Sequence, residues 1–400
     1  MACVLKDFIL LSRDGEWGKG ESFEDSVEML AIRGTDFEAV RFGDTASVPH
    51  RHIPRHIAQK KTLEPWDVLI EAAGGTKNQI TGRTVLLRPE LFARSNLPLT
   101  CASFSRFIRF KTEHCDPAFM FWYLQHLYAA GSMHAYHTQH TGVSRFQWTT
   151  FSEREPIEIP PLPVQRRIAA ILSAYDELIQ NNQRRIQIHE QMARAIYREW
   201  FVEFRFPRHE PVRLVQTPLG PIPAGWQIRL VKDILSRHSS GVVYKESDVS
   251  SEGTTPVVDQ STSELLGFHN NQADHRASPQ SPIAIFGDHT CKMQLLVGPF
   301  SIGPNVVPFT ANGDLPTAYV FYAVNNLIET QEYKRHWSPL CAKQVIVADA
   351  SIANRYAALI RPKLLAQEIL RKANRNLRRS RDLLLPRLFS GQIALDSDAA

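Results

Sequence analysis

This 400-residue chain lacks many of the signals that would mark an enzyme, a secreted protein or a membrane protein. Its five cysteines, Cys3, Cys101, Cys115, Cys291 and Cys341, are odd in number, far apart and without a CxxC. They read as free thiols in a reducing compartment, not as a disulfide or zinc framework. No apolar run approaches the ~20 residues that span a bilayer. The opening "MACVLKDFILLSRDG" has neither the basic lead-in nor the cleavage site of a secretion signal. A cytoplasmic location is expected. GxxxxGK[ST] is missing, since "GEWGKGE" has the wrong spacing, and "IHEQMA" is not HExxH. There is no PPY or PPF and no Gly-rich loop after a strand. The histidine triplets His50, His52, His56 and His134, His137, His140 lack cysteine or carboxylate company. No catalytic residue, no metal site and no cofactor bound by this chain are expected.

Charge is nearly balanced, with 46 Lys+Arg against 41 Asp+Glu, so any basic function must be local. Hydrophobic and charged contents of 43% and 22% are those of a soluble globular protein.

Glycine and proline are absent from one long stretch, Gln165 to Phe201, while both flanks are rich in them. "PPLP" (Pro160 to Pro163) holds the entry extended, and "FRFPRHEP" ends the run near Pro207. Roughly 38 residues at ~1.5 Å each predict a helical rod of about 57 Å. Stepping by four and three gives a heptad seam of Ile168, Leu172, Tyr175, Ile179, Asn182, Ile186, His189, Ala193 and Ile196. A shift of 191 residues gives a second seam at Ala366, Leu370, Ala373, Leu377, Ser380 and Leu384. In that register Asn182 and His189 fall opposite Ala373 and Ser380. Two amphipathic core helices without mutual pairing are the plainer alternative.

The repeat extends further. "VLKDFILLSR" (from Val4) resembles "LVKDILSRHS" (from Leu230), and "EMLAIRGTDF" (from Glu28) sits where "TTPVVDQSTS" (from Thr254) sits. "DPAFMFWYLQHL" (from Asp116) matches "LPTAYVFYAVNNL" (from Leu315). Strand-like runs such as "WDVLIEAA" and "SPIAIFGD" alternate with turn signals. The expected fold is α+β: two similar mixed globules, and two long helices pairing as an antiparallel coiled coil. The expected divisions are 1–158, a helical region 159–207, a linker and second globule 208–360, and a shorter helical region 361–400.

"IPPLPVQRRIAAILSAYDELIQNN", "AIYREWFVEFRFP", "LGPIPAGW" and "NLRRSRDLLLPRLFSGQI" resemble the specificity subunits of type I restriction-modification systems. The resemblance implies two target-recognition domains, each reading half of a bipartite DNA target. It implies that the helices hold the halves apart and receive two methyltransferase subunits, which motor-nuclease subunits then join. S-adenosylmethionine, ATP and Mg would bind those partners. An orphan scaffold that binds methyltransferase subunits without reading DNA is the alternative.

Base edges call for side chains with paired donors and acceptors, and phosphates call for Lys and Arg. In the first globule "QHTGVSRFQW" offers Gln139, Ser144 and Arg145, as a contact loop or as a structural turn. "GGTKNQITGR" offers Lys77, Gln79 and Arg83, as a contact loop or as a solvated hairpin, and "IRGTDF" offers Arg33 at a strand end, as a contact or as framework. In the second globule "FGDHTCKMQ" offers His289, Lys292 and Gln294, and "HWSPLCAKQVIV" offers Lys343 and Gln344. The basic run from Arg371 to Arg387 reads as a face for partner docking or spacer phosphates.

Overall fold

The computed structural model describes residues 3–74, 80–140, 143–208, 212–261, 265–330, 334–393 and 395. The chain divides into two compact units, residues 1–182 with 374–400, and residues 183–373.

In the first unit four strands make an antiparallel sheet in the order Ile9–Asp14, Ser105–Phe110, Val68–Glu71, Thr84–Leu86. The inner strand Val-Leu-Ile-Glu is buried throughout. Its side chains alternate between two cores, as a period of two requires. Val68 and Ile70 pack with Phe119 and Trp122 of the helix Pro117–Ala129. Leu69 packs with Ile32, Leu99 and Cys101. Those three come from a second sheet, ordered His50–Pro54, Ser26–Ile32, Leu99–Cys101, whose last pair is parallel. The helix Pro117–Ala129 starts where it does because Asp116 accepts the Phe119 N–H at 2.9 Å and Pro117 takes the first turn.

The second unit repeats this strand for strand. Its four-stranded sheet runs Leu235–Arg237, Val306–Ala311, Ile283–Gly287, Met293–Leu296. Its three-stranded sheet runs Gly267–His269, Thr255–Val258, Ser301–Ile302, again with the last pair parallel. Single helical turns, Leu5–Phe8 and Val231–Ile234, precede the first strand of each large sheet. Short antiparallel ladders, Cys3–Val4 with Pro156–Ile157 and Gln227–Leu230 with Gln344–Val347, complete the match. The sequence blocks quoted above for the repeat are these framework elements.

The central helix runs from Leu162 to Tyr197, 36 residues, and continues as a wider turn, Arg198–Val202. It stops where Phe204 turns to a φ of 56°, ahead of Pro207. The C-terminal helix runs from Ala350 to Phe389, 40 residues, close to the length of the central helix with its wider turn. This corrects the expected start at 361, since the helix begins eleven residues earlier. Pro362 suggests a boundary, because it has no N–H and crowds the preceding turn. The helix nevertheless passes through it. Asp349 accepts the Ser351 N–H at 2.8 Å, and Ala353, Tyr356, Ala357 and Ile360 are buried against the core of the second unit. Packing of an apolar face outweighs one lost backbone bond.

In the first unit the two helices pair antiparallel. Asn182 donates to Asn374 at 2.8 Å, and Asp176 accepts from Arg381 at 2.6 Å, so numbers rise on one helix as they fall on the other. In the second unit the Tyr356 hydroxyl donates to the Ala193 carbonyl at 3.0 Å. Ile168, Leu172, Ile179 and Leu370 are buried, whereas Tyr175, Ile186, Ile196, Leu377 and Leu384 are half-buried. Besides Leu364, Leu370, Leu385 and Leu388, the C-terminal helix buries the polar Gln367, Asn374 and Arg381, one residue beyond Ala366, Ala373 and Ser380. The 191-residue shift is therefore a repeat relation and not a facing relation, and Ser380 is exposed.

Candidate nucleic-acid interface

Strand pairing gathers the loops of the first unit at one end of its large sheet. Asp14 lies opposite Arg106, Glu71 opposite Ser105, and Ile70 opposite Thr84. The segments that follow Asp14 and Glu71, and those that precede Ser105 and Thr84, leave the sheet together. Backbone bonds tie them. Gly15 donates to Ser105 at 2.9 Å, Ala72 to Phe104 at 2.8 Å, and Ala102 to Ile32 at 2.8 Å.

Two segments distant in sequence meet there. The hairpin His137–His140 with Val143–Phe146 adds a third strand, Ala73–Gly74, by pairing Ser144 with Gly74 and Arg145 with Ala73. Gly74 takes a φ of 124°, a conformation that glycine alone adopts readily. Side chains alternate along the hairpin. Along Val143–Phe146, Ser144 and Phe146 are buried and Arg145 is exposed, while Gln139, opposite Ser144 on the edge strand, is exposed on the other face. Gly74, which opens "GGTKNQITGR", and Ser144 and Arg145 of "QHTGVSRFQW" thus belong to one small sheet. Lys77 and Gln79 lie outside the described residues.

The other two cations are engaged internally. Arg83 grips the buried carboxylate of Glu71 through two bonds of 2.7 and 2.9 Å, and this hydrogen bonding raises the guanidinium pKa. Arg33 holds Asp36 at 2.8 and 2.9 Å and donates to the Ser47 carbonyl at 2.7 Å. Burial works against the Asp36 charge. The Arg33 guanidinium and backbone N–H, with the Ser47 hydroxyl, outweigh it and keep this carboxyl below its usual range. Both pairs brace the loop end, leaving Gln139 and Arg145 as its outward-facing candidates.

Sequence reasoning passed over three aromatics. Phe104 is 60% exposed at this same end. Trp17 is exposed under the Arg51 guanidinium at 4.3 Å, and Trp148 lies 5.7 Å from that of Arg106. Phe104 and Trp17 each fall within three residues of a strand end, a signal visible once the strands are aligned.

In the second unit Gly287 lies opposite Val306, which defines the corresponding end. The turn from Asp288 to Lys292 sits there. The His289 N–H donates to Gln260 at 3.0 Å, and Lys292 donates to the Asp259 carbonyl at 3.2 Å. Asp288 accepts the His336 and Trp337 N–H groups at 3.0 and 2.9 Å, which docks the helix Trp337–Cys341. Gln294 lies on the following strand with Oε1 buried. Val242 and Val243 are exposed on the loop after Leu235–Arg237. Lys343 and Gln344 are both exposed but lie elsewhere. Gln344 pairs with Leu230, and the Lys343 carbonyl accepts from Val231, at the opposite end of the sheet. They follow the helix Trp337–Cys341 as Glu155 and Pro156 follow Trp148–Arg154, so their counterparts are not in the 137–146 hairpin.

Three histidines of the two triplets have separate partners. His50 meets Glu28 at 2.8 Å, His134 the Gly131 carbonyl at 2.9 Å, and His137 the Thr81 hydroxyl at 3.0 Å. Among the described residues no group of three or more His, Cys, Asp or Glu is placed to hold a metal, and no helix is long and apolar enough to cross a membrane.

Residues 84–190 match a family model described as type I restriction modification DNA specificity domain. Two curated relatives come from Methanocaldococcus jannaschii. The specificity subunit of type I restriction enzyme MjaIX is 32% identical over 119 residues, 29% of this chain and 28% of the relative. That of MjaVIII is 28% identical over 116 residues, 29% of this chain and 26% of the relative. The match thus spans about a quarter of each relative. Among solved structures, the S subunit of a type I restriction-modification system from M. genitalium aligns at a TM-score of 0.53 and 14% identity, covering 97% of this chain and 95% of that one. That likeness is one of fold.

Proposed function

From the type I DNA specificity domain carried over residues 84–190, we propose that this chain is the DNA-recognition subunit of a type I restriction-modification enzyme. The observation that carries the reading is the strand-for-strand repeat. One framework built twice, with different residues at the corresponding loop end, suits two readers of two different half-sites. In the first, Gln139 and Arg145 are the outward groups with base-reading or phosphate-binding chemistry. In the second, His289 and Lys292 occupy the corresponding end.

The chain acts without its own chemistry in this reading. Methyltransferase subunits dock on the long helices, motor-nuclease subunits complete the complex, and S-adenosylmethionine, ATP and Mg belong to those partners. Exposed apolar side chains on the helices, Leu178, Ile188, Met192, Leu365, Ile369 and Leu383, support a docking role. The test is to assemble the chain with its methyltransferase and map methylated adenines in host DNA. A split motif, each half changing when one globule is exchanged, is the expected result. Methylation without sequence preference would favour the orphan scaffold, and methyl transfer by the purified chain alone would overturn the non-catalytic assignment.

A further inference from the structure

Within the first unit one buried carboxylate joins three separate elements. Asp176, on the central helix, accepts from Arg41 Nε at 2.7 Å through Oδ2 and from Arg381 Nη1 at 2.6 Å through Oδ1. Arg41 ends the short helix Phe37–Arg41 of the globule, and Arg381 belongs to the C-terminal helix. The three side chains are 12%, 5% and 9% exposed.

The joint extends into the sheet. Arg41 donates to Gln125 Oε1 at 3.3 Å, and Gln125 Nε2 donates to the carbonyl and hydroxyl of Thr84 at 3.1 and 2.7 Å. The guanidinium carbons of Arg41 and Arg381 lie 4.9 and 5.7 Å from the Trp122 ring, whose Nε1 donates to Ser173 at 3.1 Å. Outside this centre Gln180 donates to the Phe42 carbonyl at 3.0 Å, and Arg88 meets Glu177 at 3.0 Å.

A buried ion triad is a poor source of net stability, because desolvation offsets most of the attraction. It is strongly directional, however. The second unit seats its globule differently, with Tyr197, Phe201, Tyr319, Tyr322 and Tyr356 packed ring against ring. Apolar contact of that kind is non-directional. The helix carrying Arg41 also begins at Asp36, the partner of Arg33 at the loop end. A rotation of the globule about Asp176 would therefore move the loops that face DNA.

We infer that Arg41, Asp176 and Arg381 are positioning residues that fix the angle of the first recognition globule on the helix pair, and through it the spacing at which the half-sites are read. The part about spacing rests on the DNA-recognition reading above, whereas the part about the angle does not.

The experiment uses the full chain with Cys3, Cys291 and Cys341 changed to Ser, and spin labels at exposed K60C and A174C. Pulsed electron spin resonance should give one narrow distance distribution. R41M removes the globule's side of the joint but leaves the Asp176–Arg381 pair balanced. It should broaden the distribution at a similar melting temperature, with R41K partly restoring it. The apolar triple variant R41M/D176L/R381M should do the same if the single variant is unstable. A narrow distribution in the triple variant overturns the inference. The assembled methyltransferase is then tested on duplexes whose spacer is one base pair too long or too short. The unaltered chain should bind these about tenfold more weakly, and R41M should discriminate by less than about threefold. Full discrimination retained by R41M overturns the role in reading. Broadened distances from a chain that binds no duplex selectively would support the seat and overturn the DNA-recognition reading instead.

Discussion

Asn182 on the central helix donates its side-chain amide to Asn374 on the C-terminal helix at 2.8 Å, and the Asn374 amide in turn reaches toward the Ile179 carbonyl at 3.5 Å. Polar pairs at heptad positions cost stability but exclude other registers. Asn374→Ala leaves the Asn182 donor without its partner and should lower stability by about 1–3 kcal/mol, seen as a lower urea midpoint. Changing both residues to Leu should restore or raise the midpoint while loosening the register. Equal midpoints for wild type and Asn374→Ala would show that the pair contributes nothing.

Burial separates two seam positions. Leu172 is fully buried and Ile186 half-buried. Leu172→Asp should cost several kcal/mol and unfold the first unit. Ile186→Asp keeps its charge near water and should cost about 1 kcal/mol. Urea titration followed by circular dichroism distinguishes them, and similar midpoints would contradict the burial difference.

Two arginines near the loop end should behave oppositely. Arg145→Ala should leave the melting temperature unchanged and reduce DNA affinity. A loss of about 1–3 kcal/mol confined to one base position marks a base contact. A uniform loss with a salt slope shallower by about one marks a phosphate contact. Arg83→Ala strands the buried Glu71 and should instead destabilise the first unit by about 3 kcal/mol. Arg145→Ala with unchanged affinity and salt slope would reduce the hairpin to a structural turn.

Acid should weaken the loop end through Asp36. Its folded pKa lies below its unfolded one, so the Arg33–Asp36 pair adds stability above about pH 4, and that stability is lost as pH falls through the lower folded value. Melting temperature measured from about pH 6 to pH 2 should fall more steeply for the native chain than for Asp36→Asn. Parallel curves would show that Asp36 has no part in acid sensitivity.

The helices and the repeat were legible because they rest on periodicity. Leu370, Leu377 and Leu384 share a phase that apolar spacing reveals. Gln367, Asn374 and Arg381 fill the alternate buried positions with polar groups, so they read as solvent-facing and the seam was placed one residue early. The start of the C-terminal helix was placed late for a related reason: around Pro362 local chemistry opposes a helix that packing sustains. Arg83 reads as a contact and Arg33 as a contact or framework, because composition shows a cation but not the carboxylate folded against it. The pairing of Ala73 and Gly74 with Arg145 and Ser144 joins distant residues in a way that single segments do not encode.

The division of the chain also sets the order in which it can finish folding. The first unit takes its main part from residues 1–182 and the rest from 374–400, and Leu385 and Leu388 lie in the same core as Trp122 and Leu172. On the ribosome the first globule can form its sheets early, yet it waits for Leu385 and Leu388 before its helix face closes. The second unit is one continuous segment and has all its residues before that point. The globule synthesised first is thus the last to be completed, and during translation its half of the central helix, with Leu172 and Ile179, stands without its mate.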